Sequence, residues 1–332
     1  MTPSKMQLNR RNLLALGGAA AATLATGVLT GPAAAKAPLL GVSLAKHWRY
    51  KLGAFEITTI MDSEAFIDGP YPIIGKNADE ADVRALMRAN LVPETRYQPG
   101  FSPTVINTGK ELVLFDTGNG ATGFVPRPNG GWLADQLGPA GFKAEDIDVV
   151  VLSHGHPDHI AGIMENGKPL CPNARYVICA TEYDYWAPEG KHTGELEKLA
   201  AVFRANALPV AEKFTMIKPG DDVVSGIRSL AAHGHTPGHL AFVIESEGKQ
   251  MLFWGDCAHH HVASLVRPDW HCVFDIDKEQ AAATRKTIYD MAATERWPVI
   301  GYHMPFPSIG YVERRPDGGY RWLEHTFQLY PQ

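Results

Sequence analysis

The residues best suited to chemistry are concentrated in one segment, Val149-Val-Val-Leu-Ser-His154-Gly-His156-Pro-Asp158-His159-Ile-Ala-Gly162. It presents three imidazoles and a carboxylate within six residues, directly after an apolar run. His154 and His156 are two positions apart, so in an extended loop both rings point the same way and can share one cation. Pro157 then imposes a bend, which leaves Asp158 and His159 free to face a second cation nearby. Four ligand-type side chains this close together at a strand end argue against a merely solvated polar loop.

Three more segments repeat the pattern on a smaller scale. His233-Gly-His235-Thr-Pro-Gly-His239 follows a strand-like stretch at 227–231. Leu252-Phe-Trp-Gly-Asp256 delivers a carboxylate through a glycine, and Val299-Ile-Gly-Tyr-His303 ends an apolar run in an imidazole. A single Asp or His at a strand end is common. Four separate strand ends that each carry one are what a metal site on the rim of a sheet requires.

The elements that must carry these loops alternate between two periods. Short β-branched or aromatic runs bounded by Gly, Pro or Asp predict strands over 55–61, 104–107, 112–115, 149–152, 176–179, 227–231, 241–245 and 251–254. Helical stretches are predicted over 78–89, 132–137, 181–186, 195–206 and 278–294. Asn107-Thr-Gly-Lys110 and Glu245-Ser-Glu-Gly-Lys249 read as hairpin turns, so much of the sheet is antiparallel. The pattern describes one α/β domain with helices packed on the outer faces of its strands.

Composition narrows the function classes. The 332 residues include 31 Lys plus Arg against 36 Asp plus Glu, a formal charge of −5, and the basic residues are scattered. Without clustered Lys and Arg there is no footprint for nucleic-acid phosphates. The 45% hydrophobic content with 7 Trp, 11 Tyr and 13 Phe excludes a disordered chain. Residues 1–35 have the form of an export signal: Arg10 and Arg11 precede an uncharged Ala/Gly/Leu/Thr stretch that ends in Ala33-Ala34-Ala35. The paired arginines are of the twin-arginine type, so the expected partner is that export machinery, with cleavage after Ala35 and a mature domain over 36–332. A membrane anchor is the alternative, but the stretch is only weakly hydrophobic. The expected product is a periplasmic or secreted protein with no stable membrane anchor, 28 basic against 36 acidic residues, and all 14 histidines. Cys171, Cys179, Cys257 and Cys272 contain no Cys-x-x-Cys pair, which argues against a thiolate zinc site and leaves one disulfide open.

The His154–His159 run resembles the His-x-His-x-Asp-His signature of the metallo-β-lactamase superfamily. So do Phe115-Asp-Thr-Gly118, the Gly-His-Thr-Pro-Gly-His run from Gly234, Asp256 and His303. This resemblance implies a four-layer αββα sandwich of two mixed sheets with helices outside. It implies that His154, His156 and His235 hold a first metal, that Asp158, His159 and His303 hold a second, and that Asp256 bridges them. His239 is then a neighbour rather than a ligand. The start after Gly53 and the His-x-x-Phe-Pro-x-x-Gly ending at 303–310 are similar to the methyl parathion hydrolase and lactonase-like group, from which Cys257-Ala-His259-His260-His261 departs.

The expected cofactors are therefore two divalent metal ions. Zinc is favoured by the His-rich set, and Mn²⁺, Fe²⁺ or Co²⁺ is also accepted by such ligands. Two such ions sharing a water would provide a hydroxide at neutral pH to attack a lactone or ester carbonyl or a phosphotriester phosphorus. Asp158 and Asp256 are the catalytic candidates, with Asp158 either a proton shuttle or only a ligand. Competing functions are a β-lactamase, a mononuclear iron sulfur dioxygenase and a non-catalytic metal-binding protein of the same fold. For the small-molecule pocket the candidates are Phe124, Trp186, His259 and His260, with Phe66, Phe203 and Trp270 beside them, each weighed against plain core packing. A homodimer is a further expectation.

Overall fold

Val149, Val150 and Val151 show how the strands build the architecture: the outer two join an apolar layer between two sheets, while Val150 joins a second layer beneath helices. Period-two alternation sends neighbouring side chains to opposite faces, and a strand covered on both faces reads as an unbroken hydrophobic run. Val113 and Phe115 against Leu114, and Val177 and Cys179 against Tyr176 and Ile178, repeat the division.

In this computed structural model residues 45–125 and 127–326 are described. The export signal expected over 1–35 lies outside them. The first large sheet comprises β1 (His47–Leu52), β2 (Phe55–Ile60), β3 (Thr104–Asn107), β4 (Leu112–Phe115), β5 (Val149–Val151), β6 (Arg175–Cys179) and β7 (Phe214–Ile217), hydrogen-bonded in that order. Pairing is antiparallel from β1 to β4 and parallel from β4 to β7. The second comprises β8 (Asp222–Val224), β9 (Ile227–Ala231), β10 (Leu240–Ser246), β11 (Lys249–Phe253), β12 (Val299–Ile300), β13 (Ile309–Arg314) and β14 (Tyr320–Glu324), again in sequence order. Only the β11–β12 pair in it is parallel.

Seven α-helices occur among the described residues: α1 (Glu80–Ala89), α2 (Leu133–Leu137), α3 (Pro157–Ile160), α4 (Ala180–Trp186), α5 (Gly194–Ala207), α6 (Ala263–Val266) and α7 (Lys278–Glu295). Leu133, Leu137, Trp186, Ala200, Phe203 and Ala207 put α2, α4 and α5 on the outer face of the first sheet. Ile288, Tyr289 and Ala292 put α7 on the outer face of the second, against Leu252, Trp254 and Val299. The result is the expected αββα sandwich. A smaller apolar cluster joins α1 to α6 through Val83, Met87, Ala263, Val266 and Trp270. Helix α7 is capped by Asp277, whose carboxylate accepts from the Gln280 amide at 2.9 Å.

The predicted strands and the five predicted helices all form within two residues of their expected ends. Sequence reading missed β1, β8, β13 and β14, whose runs mix charged with apolar residues, and the four-residue β7, Phe214-Thr-Met-Ile217; β1 and β14 are sheet edges, where such charges block further pairing. All four cysteines are buried free thiols. No helix among the described residues is long and apolar enough to cross a membrane.

Candidate metal centre

Loops from both sheets converge at one rim. The chain leaving β5 presents His154 and His156 and turns into α3, whose first residue is Pro157 and whose second and third are Asp158 and His159. Proline suits a helix start because its missing N–H would have no partner there. The β9–β10 loop presents His235, the chain after β11 presents Asp256, and that after β12 presents His303. Each of these seven residues is at least nine-tenths buried.

Among the described residues five groups of three side chains are close enough to hold a cation, and two of them are the sets that the resemblance implies. His154, His156 and His235 each offer a ligand atom within 4.8 Å of the others, and so do Asp158, His159 and His303. Asp256 lies between the groups: its Oδ2 is 3.3 Å from His235 Nε2 and its Oδ1 is 3.2 Å from His159 Nε2. His303 Nε2 stands 3.0 Å from Asp256 Oδ2 and 3.5 Å from Asp158 Oδ2.

Outer partners fix the rings. His159 Nδ1 faces Asp116 Oδ2 at 2.8 Å, and Asp116 also accepts from the Ser153 amide at 2.8 Å. Asp116 adopts a positive φ of 56°, a conformation that Asp tolerates better than most residues, and this tips its carboxylate toward the β5 loop. His235 Nδ1 meets Asp275 Oδ1 at 2.9 Å, and Arg285 donates to the other Asp275 oxygen at 2.6 Å. His303 Nδ1 donates to the Gly100 carbonyl at 2.7 Å. Such partners set the tautomer and leave the second nitrogen as a lone-pair donor. His239 points elsewhere: its Nδ1 donates to the Ala232 carbonyl at 2.8 Å and its Nε2 accepts from the Asp256 amide at 3.1 Å. Gly255 makes that contact feasible, because with φ at +51° a Cβ there would lie 2.5 Å from His239 Nε2.

Electrostatics favour positive charge at this point. Burial, reinforced by neighbouring rings, pushes His154 and His156 well below the ordinary histidine range, which keeps them as neutral, ligating imidazoles. Burial also opposes charge on His235, but Asp256 and Asp275 outweigh it and raise the ring to about 9. His159 and His303 are raised against burial in the same way, by Asp256 and Asp158. Carboxylates that draw protons onto these rings would equally draw a cation among them. His159 Nε2 and Asp256 Oδ1 are buried and, although 3.2 Å apart, make no well-formed hydrogen bond with each other or with any other group among the described residues. A buried lone pair and a buried carboxylate oxygen left in this way are costly unless a cation satisfies them, so the residues fit a divalent metal.

The adjoining cavity, about 220 Å³, has a largely apolar wall of Ala65, Ile67, Phe101, Phe124, Val125 and Phe274, and Asp158, Asp256 and His259 at its polar end. Phe124 and His259 thus line it. Phe66 is exposed on a groove beside it. The expectation that Trp186 and His260 line the pocket is corrected. Trp186 is fully buried beneath the first sheet with Phe203, and its indole donates to Glu182. His260 stacks on His261, and its Nδ1 accepts from the Val262 and Ala263 amides, which fixes the start of α6. Trp270 packs in the α1–α6 cluster. Sequence reading gave no role to Asp116, Asp275 or Glu182. Asp116 follows an apolar strand just as Asp256 does and could have been found by that rule. Asp275 and Glu182 carry no local signal.

The chain belongs to the metallo-β-lactamase superfamily, whose model matches residues 102–290. Two solved structures are similar over most of the chain. One is hydrolase AbOPH of the beta lactamase superfamily, 26% identical with a TM-score of 0.80 over 86% of this chain and 99% of that one. The other is AidC, a dizinc quorum-quenching lactonase in complex with its N-hexanoyl homoserine product, 25% identical with a TM-score of 0.77 over 85% and 98%. An N-acyl homoserine lactonase from a Bacillus species is 30% identical over 115 residues, 35% of this chain and 40% of that lactonase.

Proposed function

We propose that this protein is a dinuclear metal-dependent hydrolase of lactones and related esters with an apolar acyl group. The observation that carries this reading is the pair of ligand triads joined by Asp256 at the polar end of an apolar cavity. The similarity to a dizinc lactonase and to a second hydrolase over most of the chain supports it. His154, His156 and His235 would hold one cation, Asp158, His159 and His303 the other, with zinc the best fit to the donor set. Two such cations, when bound, supply a hydroxide at neutral pH by lowering the pKa of a shared water.

The chain's own residues do the rest. Phe101, Phe124 and Phe274 would receive the acyl chain and exclude water from it. Asp158 reaches the cavity wall, from which its carboxylate can carry a proton to the leaving oxygen. His259 is 2% exposed, its ring nitrogens make no hydrogen bond among the described residues although Nε2 lies 3.4 Å from Asp256 Oδ2, and its carbonyl accepts from the Tyr97 hydroxyl, which ties that residue down. It is therefore placed to donate to a substrate oxygen.

His259→Ala is expected to lower turnover on the order of 10²-fold, the usual loss for one donor to a developing oxyanion. Unchanged kinetics on every accepted substrate would remove His259 from the mechanism. Phe124 is 47% exposed, so Phe124→Ala forfeits about half of a full aromatic burial, about 1 kcal/mol. The expected result is kcat/KM lowered about fivefold for long-chain acyl lactones and unchanged for short ones; equal losses for both would place the acyl chain elsewhere. The reading as a whole is tested by a panel of lactones, aryl esters, a phosphotriester and a chromogenic β-lactam. Lactone and ester hydrolysis is expected to dominate, and exclusive turnover of either of the other two would reassign the substrate.

A further inference from the structure

Glu182 lies in α4, one turn from the fully buried Trp186, and is itself fully buried with no basic side chain hydrogen-bonded to it among the described residues. Each carboxylate oxygen accepts two hydrogen bonds. Oε1 takes the Gly155 amide at 2.8 Å and the Trp186 indole at 2.6 Å. Oε2 takes the Thr236 hydroxyl and the Gly238 amide, both at 2.8 Å. Gly155 separates His154 from His156 in the loop after the first sheet's β5, whereas Thr236 and Gly238 follow His235 in the β9–β10 loop of the second sheet. One side chain therefore ties together the two loops that supply the His154, His156 and His235 triad.

The approach is close enough to require glycine at both loop contacts. A Cβ on Gly238 would fall 2.3 Å from the Glu182 amide, and one on Gly155 would fall 2.4 Å from Trp186 Cδ1. Burial raises the Glu182 carboxyl above the ordinary value, and its four donors offset part of that rise. Four donors need four acceptor positions, and only a carboxylate offers them in this geometry.

We propose that Glu182 is the positioning residue of the first metal site, holding His154 and His156 at ligating distance from His235 by clamping the two loops. This rests on the proposed metal-dependent function, and the experiment separates the two. Glu182→Gln keeps the shape but must turn an NH₂ toward one pair of donors, which opens that side of the clamp. Competition against a metal chelator is expected to show one of two bound zinc ions held about 10-fold more weakly, in the range found for residues that orient ligands. The visible spectrum of the cobalt-loaded variant is expected to shift, since its ligand angles change. Thr236→Val, which removes one of the four bonds, is expected to give a smaller change of the same kind and covers the case in which Glu182→Gln does not fold. Trp322→Phe, in the apolar layer beneath α7, serves as a control that lowers Tm with neither effect. Parental zinc affinity and an unaltered cobalt spectrum in Glu182→Gln, or in Thr236→Val where the first does not fold, would overturn the proposal and make Glu182 a fold residue only. A parental protein that binds no divalent metal would instead contradict the proposed function itself.

Discussion

Asp256→Asn is expected to leave at most one metal per chain and to lower kcat/KM by at least about 10³-fold, equivalent to about 4 kcal/mol of lost transition-state stabilisation. Five imidazoles surround this carboxylate. The Nε2 atoms of His303, His159, His235, His259 and His154 lie 3.0, 3.2, 3.3, 3.4 and 3.8 Å from one or other of its oxygens. Burial opposes ionisation of Asp256, but the charges of His303 and His159 hold it well below the usual carboxylate range. A carboxamide has the same shape without the charge. It would place an NH₂ among lone pairs that should face a cation, so both triads lose the carboxylate that lies between them. Metal analysis alongside steady-state kinetics checks this: two metals per chain and activity within tenfold of the parent would remove Asp256 from the bridging role.

The second large effect is expected at a distance from the cavity. Asp275 stands between His235 and Arg285, and Arg285 is 2% exposed. Asp275→Asn leaves a buried guanidinium without its counter-charge, and breaking a buried ion pair from one side destabilises by about 3 kcal/mol or more. For a chain of this length that is roughly 4–5 °C in Tm. It also frees the His235 ring, so metal affinity should fall by about 10- to 100-fold. The pH dependence identifies the cause. Burial works against the Asp275 carboxylate, yet His235 and Arg285 outweigh burial and hold its pKa well below the ordinary value of 3.8. A depressed carboxyl contributes stability fully above the unfolded pKa, near 4, and loses it as pH falls through the lower folded value. The parent and Asp275→Asn should therefore differ most near neutrality and converge in acid, as followed by thermal melts. A difference that persists unchanged to the lowest pH at which both fold would contradict the charge account.

Much of the fold was legible because the interior strands are covered on both faces and so read as plain apolar runs, as in Val149–Val151. The alternation of Val149 and Val151 with Val150 then assigns the layers. Edge strands such as β1 and β14 were not legible, since their outward positions carry Arg, Lys and Glu. The seven ligand-type residues could be read because strand ends deliver them in short, glycine-bounded phrases. Their outer partners could not. Asp275 reaches His235 across 40 positions and Glu182 reaches Gly238 across 56, through contacts that only the packed sandwich creates. Burial decided the remaining misreadings. Trp186 and His260 carry side chains that could line a pocket, but the first fills the layer under α4 and the second fixes the start of α6. His259, one residue earlier than His260, lines the cavity.

We propose that a pair of cations held on either side of Asp256 is used for hydrolysis. The most direct test is removal of metal with a chelator followed by stepwise return of zinc, with lactone hydrolysis and bound metal measured at each step. The proposed two-metal site predicts a chain saturating at two zinc ions, with hydrolysis lost on chelation and rising mainly with the second equivalent. Saturation at one metal per chain, or full lactone hydrolysis by chelated protein, would contradict it.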